Sequence, residues 1–578
     1  GPTCVPAHLN VSDVLPGTPL EVSPLPGSLD ASPETQISFL GAPASAISAI
    51  TVTGSRSGAH TGRLEGYSQG DGASFVLAKP LTPGEHVAVG GTFTSASGAV
   101  PFSYSFDVTV PDVLPRPPVY HPTNVPTEEM HFHSRPDLEA PTIVVNRRSP
   151  LTAGGYIFAD PANGPGPNGP MIFDEHGNLV YFHPIPTGEE STNLQVQQLE
   201  GHPVLTWWQG YVPPQGFGVG EEIVVGPDYR SVLHVHAGNG FAADLHDFHL
   251  LPQDTALLTV FNPIACNLGP YGGRSYAAVT DGVFQEVDLR TGLVRREWHS
   301  LDHVRLADSY NEVNGGSIVW PFDYFHINSV QPSSSGSLVI SARNTWAVYE
   351  LNSETGQIAT TIGGKSSGVA LQPGAATAYQ HDAEPRGQSS ISVFDNGGTP
   401  KVHPQSRGIL IDIDTAARTA EVVAEYTHPT PLLAGSQGSI QLLANGDEFI
   451  GWGAAPYFSE FSSSGTLLFD AHMPGSYESY RAYRFAWTGE PSAPPDVAVT
   501  DTHGGRSAIV YVSWDGDTRT AAWRVLGGSS RRHLHAIGGS RRAGFETTIP
   551  LKRRPTYLAV QALSAEGAVL GTSARIRS

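Results

Sequence analysis

Three histidines in the central part of the chain lie in strand-like segments that also carry other polar groups. These segments are 245–249 (LHDFH), 325–330 (FHINSV) and 380–382 (QHD), and a fourth, 339–343 (VISAR), ends in an arginine. Imidazoles, a guanidinium and a carboxamide brought to one place would bind an anion, because each can donate hydrogen bonds to it. The fold must therefore bring these segments together.

A repeated sequence pattern predicts how they meet. From about 140 to 490, units of a polar start, an apolar run, a Gly or Asp turn and a second apolar run follow one another. Six units begin near 156, 202, 246, 326, 381 and 439. Most starts lie roughly 40–60 residues apart, which is typical of four-stranded propeller blades. Equivalent positions of successive blades face one another at the axis, so we expect the site residues to meet there: His246, His326, Asn328, Arg343 and His381.

Composition predicts an all-β chain throughout. Among 578 residues there are 64 glycines and 48 prolines, and runs with helical periodicity are scarce. Residues 1–112 and 496–578 carry short alternating runs at the spacing of β-sandwiches. We therefore predict an immunoglobulin-like sandwich (1–112), a linker (113–139), a six-bladed catalytic propeller (140–490) and a fibronectin-III-like sandwich (496–578).

Charge and motifs exclude several classes of function. The net charge of −21 argues against nucleic-acid binding, and no apolar run is long enough for a membrane span. No nucleotide-binding, metalloprotease or serine-hydrolase motif is present, and we expect neither a cofactor nor a metal. Cys4 and Cys266 are either a disulfide or two unrelated thiols. Few lysines, few cysteines and Ser/Thr/Gly-rich β modules favour a secreted or cell-surface protein.

Further residues complete the predicted site. Asp247 and Asp382 each follow a candidate histidine and are expected either to contact substrate or to orient an imidazole. The segment 299–325 is an insertion that could form a lid. Four aromatic residues are candidates for apolar walls around a ring-shaped substrate, with core packing as the alternative: Trp207, Trp208, Tyr324 and Trp346. Five histidines out of register are predicted to be surface or loop residues: His249, His299, His303, His403 and His428.

The motifs and their order resemble those of the arylsulfotransferase family. The resemblance covers about 140–490 and rests on 246–252 (HDFHLLP), 325–332 (FHINSVQP), 341–343 (SAR), 380–397 (QHDAEPRGQSSISVFDNG) and 438–453 (GSIQLLANGDEFIGWG). It implies a six-bladed propeller that moves a sulfuryl group from a phenolic sulfate ester to another phenol without a nucleotide donor. The expected partners are then a small aromatic sulfate and a phenolic acceptor.

The resemblance also implies roles for single residues. The family's transiently sulfated histidine falls on His381, its sulfuryl-stabilising histidine and asparagine on His326 and Asn328, and its arginine on Arg343. The first axial histidine falls on His246. Independently of the family, a neutral imidazole can attack sulfur, and fixed donors can stabilise the charged oxygens of the group in transfer.

Two other classes of function remain open at this point. A polysaccharide lyase could hold a uronate carboxylate with the same donors, and a glycosidase could use carboxylates such as Asp247, Asp382 and Glu384. The partner would then be an anionic glycan. A non-catalytic protein could merely bind an anionic ligand in the same pocket.

Overall fold

The computed structural model describes residues 1–578 as β-strands joined by turns and six short 3-10 helices. None of its helices has the length and apolar character that crossing a membrane requires. The 3-10 helices are η1 (Ala44–Ala46), η2 (Pro126–Glu128), η3 (Gly269–Tyr271), η4 (Ser300–Asp302), η5 (Leu306–Asp308) and η6 (Val313–Gly315).

The N-terminal part is a two-sheet sandwich. Its strands are β1 (Glu21–Ser23), β2 (Ile37–Leu40), β3 (Ile47–Gly54), β4 (Gly58–His60), β5 (Gly62–Gly66), β6 (Gly72–Leu77), β7 (His86–Ser95) and β8 (Gly98–Asp107). One sheet has the order β1-β2-β6-β5 and the other β4-β3-β7-β8. Side chains from both, such as Phe39, Val87 and Phe106, share one core.

The central part contains 26 strands, β9 to β34. They are β9 (Val144–Arg148), β10 (Tyr156–Ala159), β11 (Met171–Phe173), β12 (Leu179–Phe182), β13 (Glu190–Leu199), β14 (His202–Tyr211), β15 (Val219–Val225), β16 (Ser231–Val235), β17 (Phe248–Leu251), β18 (Thr255–Cys266), β19 (Ala277–Asp288), β20 (Val294–His299), β21 (Ile327–Pro332), β22 (Leu338–Ala342), β23 (Ala347–Leu351), β24 (Ile358–Gly363), β25 (Ala370–Leu371), β26 (His381–Arg386), β27 (Ser390–Asp395), β28 (Arg407–Asp414), β29 (Thr419–Tyr426), β30 (Ser439–Leu442), β31 (Glu448–Gly451), β32 (Tyr457–Phe461), β33 (Leu467–His472) and β34 (Ala482–Phe485).

These strands form six sheets in a propeller-like arrangement. Their orders are β34-β10-β11-β12, β13-β14-β15-β16, β17-β18-β19-β20, β21-β22-β23-β24, β26-β27-β28-β29-β25 and β30-β31-β32-β33-β9. The first sheet thus takes a strand from after the sixth, and β9 completes the sixth, so both ends of the region are tied together. Strands β34, β13, β17, β21, β26 and β30 lie at corresponding ends of their sheets, and we call them the inner strands.

Apolar side chains explain why the six sheets stack. All twelve residues of β19 are buried, polar ones such as Asp281 and Gln285 included, so this strand has no face towards solvent. Val224 of the second sheet and Leu258 of the third share one core, and Val348 of the fourth and Ile409 of the fifth share another. Neighbouring sheets share such cores around the region, so each sheet is covered on both faces. Strands covered on both faces carry apolar residues at consecutive positions.

The C-terminal part is a second two-sheet sandwich. Its strands are β35 (Asp496–Thr502), β36 (Ser507–Ser513), β37 (Ala522–Ser530), β38 (His533–Arg541), β39 (Glu546–Leu551), β40 (Tyr557–Leu563), β41 (Val569–Thr572) and β42 (Ile576–Arg577). The sheets have the orders β35-β36-β39 and β38-β37-β40-β41, with β42 beside β40. Val510 and Val560 lie in their common core.

Two details differ from or complete the sequence interpretation. The second sheet begins with Glu190 in β13, not near 202, because the long β13 is polar enough to be missed. Cys4 and Cys266 form a disulfide that joins the N-terminal segment to the end of β18.

Candidate functional site

A cavity of about 490 Å³ lies where several inner strands begin. Four predicted site residues line it: His246, His326, Arg343 and His381. His326 immediately precedes β21, and His246 lies two residues before β17. His381 is the first residue of β26. The sequence pattern therefore identified residues that the fold brings together.

His246 and His326 face each other and are each backed by a carboxylate. Their ring centroids are 4.9 Å apart and the rings are perpendicular. Nδ1 of His246 is 2.7 Å from Asp244, and Nδ1 of His326 is in hydrogen-bond contact with Asp323. In both rings Nε2 is left for a ligand. His326 has a φ of +59°, an uncommon conformation for this residue type that the surrounding structure must enforce.

His381 is held differently, by an amide and a carbonyl. Its Nδ1 is 2.8 Å from Oδ1 of Asn396 and 3.0 Å from the Tyr379 carbonyl oxygen. The Asn396 amide nitrogen donates to two carbonyl oxygens, of Ala434 and Gln437, which fixes the amide with its oxygen towards the ring. Nδ1 must then carry the proton and Nε2 the lone pair. Consistently, Nε2 accepts a hydrogen bond of 3.2 Å from the backbone N–H of Gln437.

Burial keeps two of the three imidazoles uncharged. The pKa of His381 lies well below its usual value, first because the ring is desolvated and second because the Arg343 charge repels a proton. Burial also lowers the pKa of His246, although the neighbouring Asp244 opposes this. His326 is less deeply buried, at 9% exposed against 2% for His246.

Arg343 is a cation without a carboxylate partner. It donates to Oδ1 of Asn344 at 2.9 Å and to the Gly435 carbonyl oxygen at 3.1 Å, and its guanidinium lies 4.6 Å from the centre of the Tyr379 ring. Burial lowers the pKa of Arg343 from its ordinary value. A guanidinium held by neutral groups at the wall of a cavity favours an anionic ligand.

Asp247 and Asp382 do not line the cavity, which corrects their assignment as substrate-binding residues. Both are fully buried around the guanidinium of Arg481, at 2.9 Å and 3.5 Å. Asp247 also accepts a hydrogen bond from the Val330 backbone, and Asp382 accepts one from the Ile440 backbone. This hub of charges links inner strands of different sheets and supports the site from beneath.

Asn328 belongs to the same hub and not to the cavity wall. Its carbonyl oxygen accepts a hydrogen bond of 2.9 Å from Arg481, and its side-chain nitrogen donates to the Gln380 carbonyl oxygen at 2.8 Å. The amide thus fixes the residue before His381. Its predicted contact with the ligand is not seen in the structure, because the chain turns the side chain towards the next inner strand.

The four aromatic residues predicted as walls do not line the cavity either. Trp207 packs in the core between the first two sheets, and Tyr324 is buried in the core of the third and fourth. Trp208 is fully buried and donates to the Ala243 carbonyl oxygen. Trp346 stacks on Tyr310 with ring centroids 3.5 Å apart. Core packing, the alternative interpretation, describes the first three.

The insertion contributes to the cavity as a wall. Asn311, Trp320 and Asp323 of 299–325 line it. Trp320 is 52% exposed and supplies an aromatic surface that the sequence analysis did not select. Asp323 could have been found from its position three residues before His326, but only residues within the strand-like segments were selected.

Other lining residues come from sheets without a histidine at the inner strand. Tyr480 precedes β34, and its ring lies 5.3 Å from that of His246 and 6.2 Å from that of His381. Gln437 precedes β30, and Glu190 starts β13. Burial raises the pKa of Glu190 to about 7, with a further contribution from the negative charge of Glu478. These residues could have been found only by aligning all six inner strands.

Three of the five out-of-register histidines are buried: His303 and His428 lie in loops, as predicted, but His299 is the last residue of β20, which corrects its assignment. His299, His303 and His428 are 6%, 8% and 6% exposed. Each is held by a polar partner or an aromatic face: His303 stacks on Trp298, and His428 lies 3.0 Å from Asp470. His249 and His403 are partly exposed and pair with Asp247 and Asp395.

The solved structures that this chain matches have little sequence in common with it. A protein of unknown function from Bacteroides caccae is 12% identical, with 57% of this chain and 98% of that chain covered and a TM-score of 0.37. A catalytically inactive virginiamycin B lyase from Staphylococcus aureus is 12% identical, with coverage of 65% and 97% and a TM-score of 0.27. A GH43 protein from Bacillus licheniformis is 8% identical, with coverage of 75% and 91% and a TM-score of 0.26.

Comparison with curated proteins gave no match. The family model described as arylsulfotransferase (ASST) matches residues 195–473. This stretch runs from β13 to β33 and contains His246, His326, Arg343 and His381. Over these residues the chain matches the model of the arylsulfotransferase family.

Proposed function

We propose that the protein transfers a sulfuryl group between phenolic compounds through a covalent intermediate on His381. The observation that carries the proposal is the environment of this ring: an uncharged imidazole whose tautomer leaves the lone pair on Nε2, in the same cavity as the unpaired guanidinium of Arg343. A nucleophile and an anion-binding cation are the two groups that attack on a sulfate ester requires.

In the first half of the reaction, Nε2 of His381 attacks the sulfur of an aryl sulfate. The S–N bond forms as the bond from sulfur to the phenolic oxygen breaks. The leaving phenolate takes a proton from Nε2 of a protonated His326, whose charge Asp323 stabilises. Arg343 stabilises the sulfuryl oxygens, and the Nδ1 proton of His381 stays on the ring, held by Asn396.

In the second half, a phenol replaces the departed one. The now neutral His326 accepts its proton, the phenolic oxygen attacks sulfur, and the S–N bond breaks with return of the electron pair to Nε2 of His381. The neutral imidazole and the protonated His326 are thereby restored. No nucleotide sulfate is consumed in this sequence.

We further propose the finer architecture predicted above. The six sheets are blades of a six-bladed propeller, catalytic over 140–490, whose axis passes close to the Arg481 hub. The sandwiches at 1–112 and 496–578 are immunoglobulin-like and fibronectin-III-like, with 113–139 as a linker. The Cys4–Cys266 disulfide supports export from the cytoplasm, and the net charge of −21 supports a function without nucleic acid.

The test is incubation of the full chain with 4-nitrophenyl sulfate, with and without phenol and without any nucleotide. We expect nitrophenol release that depends on the phenol, and His381→Ala should lower the rate by about a thousandfold or more because the nucleophile is lost. Mass spectrometry of the donor-treated protein should find one added sulfuryl group on the peptide that contains His381.

His403→Ala is a matched control. This histidine lies near the end of the same sheet and binds Asp395, next to Asn396, but is not part of the cavity wall. Its activity should stay close to that of the wild type. Inactivity of the wild type towards several aryl sulfates, or full activity of His381→Ala, would contradict the proposal. Cleavage of a uronate polysaccharide with ultraviolet-absorbing products would instead identify a lyase.

A further inference from the structure

A second cluster of titratable groups lies where the N-terminal sandwich meets the third sheet. Its centre is His299, whose Nδ1 is 2.5 Å from Oδ2 of Asp281 and 3.7 Å from Oδ1 of Asp30. One ligand atom from each of the three residues lies within 4.8 Å of the others, and all three residues are buried. Asp30 belongs to the loop between β1 and β2, Asp281 to β19, and His299 ends β20.

The other nitrogen of His299 is fixed by a buried carboxylate. Nε2 lies 2.8 Å from Glu297, and this carboxylate accepts hydrogen bonds of 2.6 Å each from the side chains of Asn239 and Gln285. Metal-bound histidines usually have such a partner on the nitrogen that faces away from the ion, because it sets the tautomer and the direction of the lone pair. Here that partner directs Nδ1 towards Asp281 and Asp30.

The charges in this cluster are not balanced by the protein alone. Asp30 is 1% exposed, and its Oδ2 has no hydrogen-bond partner. Asp302 is 2% exposed and adds one more buried carboxyl group beside the same histidine, and its Oδ1 has no hydrogen-bond partner. Four carboxyl groups surround one imidazole, so protonation of His299 neutralises only one of them. Buried carboxylates require a further cation or protons.

We propose that Asp30, Asp281 and His299 bind a divalent transition-metal ion that joins the N-terminal sandwich to the central sheets. One imidazole nitrogen with carboxylate oxygens is a donor set that suits Zn²⁺ or Mn²⁺, whereas Ca²⁺ and Mg²⁺ take oxygen ligands. The ion replaces the proton on Nδ1, and Glu297 then accepts the remaining proton of the ring in a hydrogen bond. No metal was expected from the sequence, since no spacing of histidines demands one; the three residues of this cluster are far apart in the chain.

The position of the cluster gives the ion a structural role. His299 is the first residue of the insertion 299–325 and is followed directly by η4. The same insertion carries Trp320 and Asp323 to the cavity. An ion bound to Asp30 and His299 therefore fixes the start of this insertion against the N-terminal sandwich. This proposal is independent of the sulfuryl-transfer reaction.

The experiment uses the full chain without a polyhistidine tag, treated with EDTA, returned to buffer and mixed with Zn²⁺, Mn²⁺ or Ca²⁺. We expect about one Zn²⁺ or Mn²⁺ to remain per chain after gel filtration, measured by elemental analysis, and a rise of several degrees in Tm. Both effects should disappear in Asp30→Asn. The surface pair His234 and His236 beside Glu221 could also take Zn²⁺, so all proteins carry His234→Ala and His236→Ala.

Asp71→Asn is the matched control. It removes a carboxylate that pairs with Arg295 at 2.7 Å across the same junction, yet leaves the cluster intact, so metal content and metal-dependent Tm shift should be retained. Absence of bound metal and of any Tm shift in the protein that retains Asp30 would overturn the proposal and leave protons as the neutralising charge. Equal metal binding by a folded Asp30→Asn protein, confirmed by near-ultraviolet circular dichroism, would also overturn it.

Discussion

The histidines on the two sides of the cavity have different hydrogen-bond partners at Nδ1. On one side His246 and His326 have carboxylates at Nδ1, and on the other His381 has only an amide and a carbonyl. A carboxylate stabilises an imidazolium, whereas an amide oxygen only fixes the tautomer. In the proposed reaction Asp323 supports the passage of a proton through His326, whereas burial keeps His246 and the nucleophile His381 uncharged. Different partners at the same ring atom are enough to give identical residue types different roles.

Arg343 strengthens this contrast. Its charge belongs to the His381 side, where it disfavours a second proton on the ring. In the proposed reaction, the same charge attracts the sulfuryl group that His381 attacks. On the other side, Asp244 and Asp323 each contact the Nδ1 atom of a histidine, so Nε2 of both rings is left for a ligand.

Asp323→Asn breaks the carboxylate side and is expected to have the largest effect of the following changes. With phenyl sulfate as donor, the rate should fall by about a hundredfold, because His326 no longer holds the proton that the poor leaving group needs. With 4-nitrophenyl sulfate the rate should change little, since its phenolate leaves without a proton. The measurement is kcat/KM for both donors. An equal loss with both would mean that Asp323 only positions the ring.

Asp254→Asn serves as the control for this change. Asp254 also belongs to the central sheets and pairs with Arg290, far from the cavity wall. Its replacement should leave the ratio of the two donors unchanged.

The sequence predicted the two sides only in part, for a physical reason. Strand starts marked by histidine could be matched by their pattern, so His246, His326 and His381 were identified together. Their partners lie in irregular backbone before or after the strands, where no periodicity marks them. Asn396 follows β27, and Asp244 lies two residues before His246.

The aromatic residues show a second limit. Trp207, Trp208 and Tyr324 lie in strands or next to them, and their side chains point into the cores between sheets. An aromatic residue near a strand start has the same sequence signature whether it faces the axis or a neighbouring sheet. Trp320, which does line the cavity, lies in an irregular part of the insertion and could not be identified by strand pattern.

Asn396→Asp converts the amide side into a copy of the carboxylate side. The added charge should raise the pKa of His381, so that part of the protein carries a proton on Nε2 and cannot attack. If the pKa of His381 rises to one unit above the assay pH, only about a tenth of the rings are uncharged, and the rate falls by about tenfold. The pH dependence of kcat/KM should then show an acidic limb that moves to higher pH, with activity recovering in alkaline buffer. A uniform loss at every pH would indicate damage to the bonds with Ala434 and Gln437 instead.

The smallest expected effect concerns stability in acid. The folded protein keeps the pKa of His381 well below its ordinary value, chiefly through burial, so below pH 6.5 the unfolded chain binds the extra proton and the folded chain does not. Stability must then fall as the pH falls through this range, and His381→Gln removes that contribution. Between pH 7.5 and 5.5 the wild type should lose about 1 kcal/mol more unfolding free energy than His381→Gln, as measured by urea denaturation. The same change at the exposed His202 tests whether loss of any histidine alters the slope. Identical pH slopes for wild type and His381→Gln would show that His381 takes up a proton in the folded protein as readily as in the unfolded chain, and the distinction between the two sides of the cavity would fail with it.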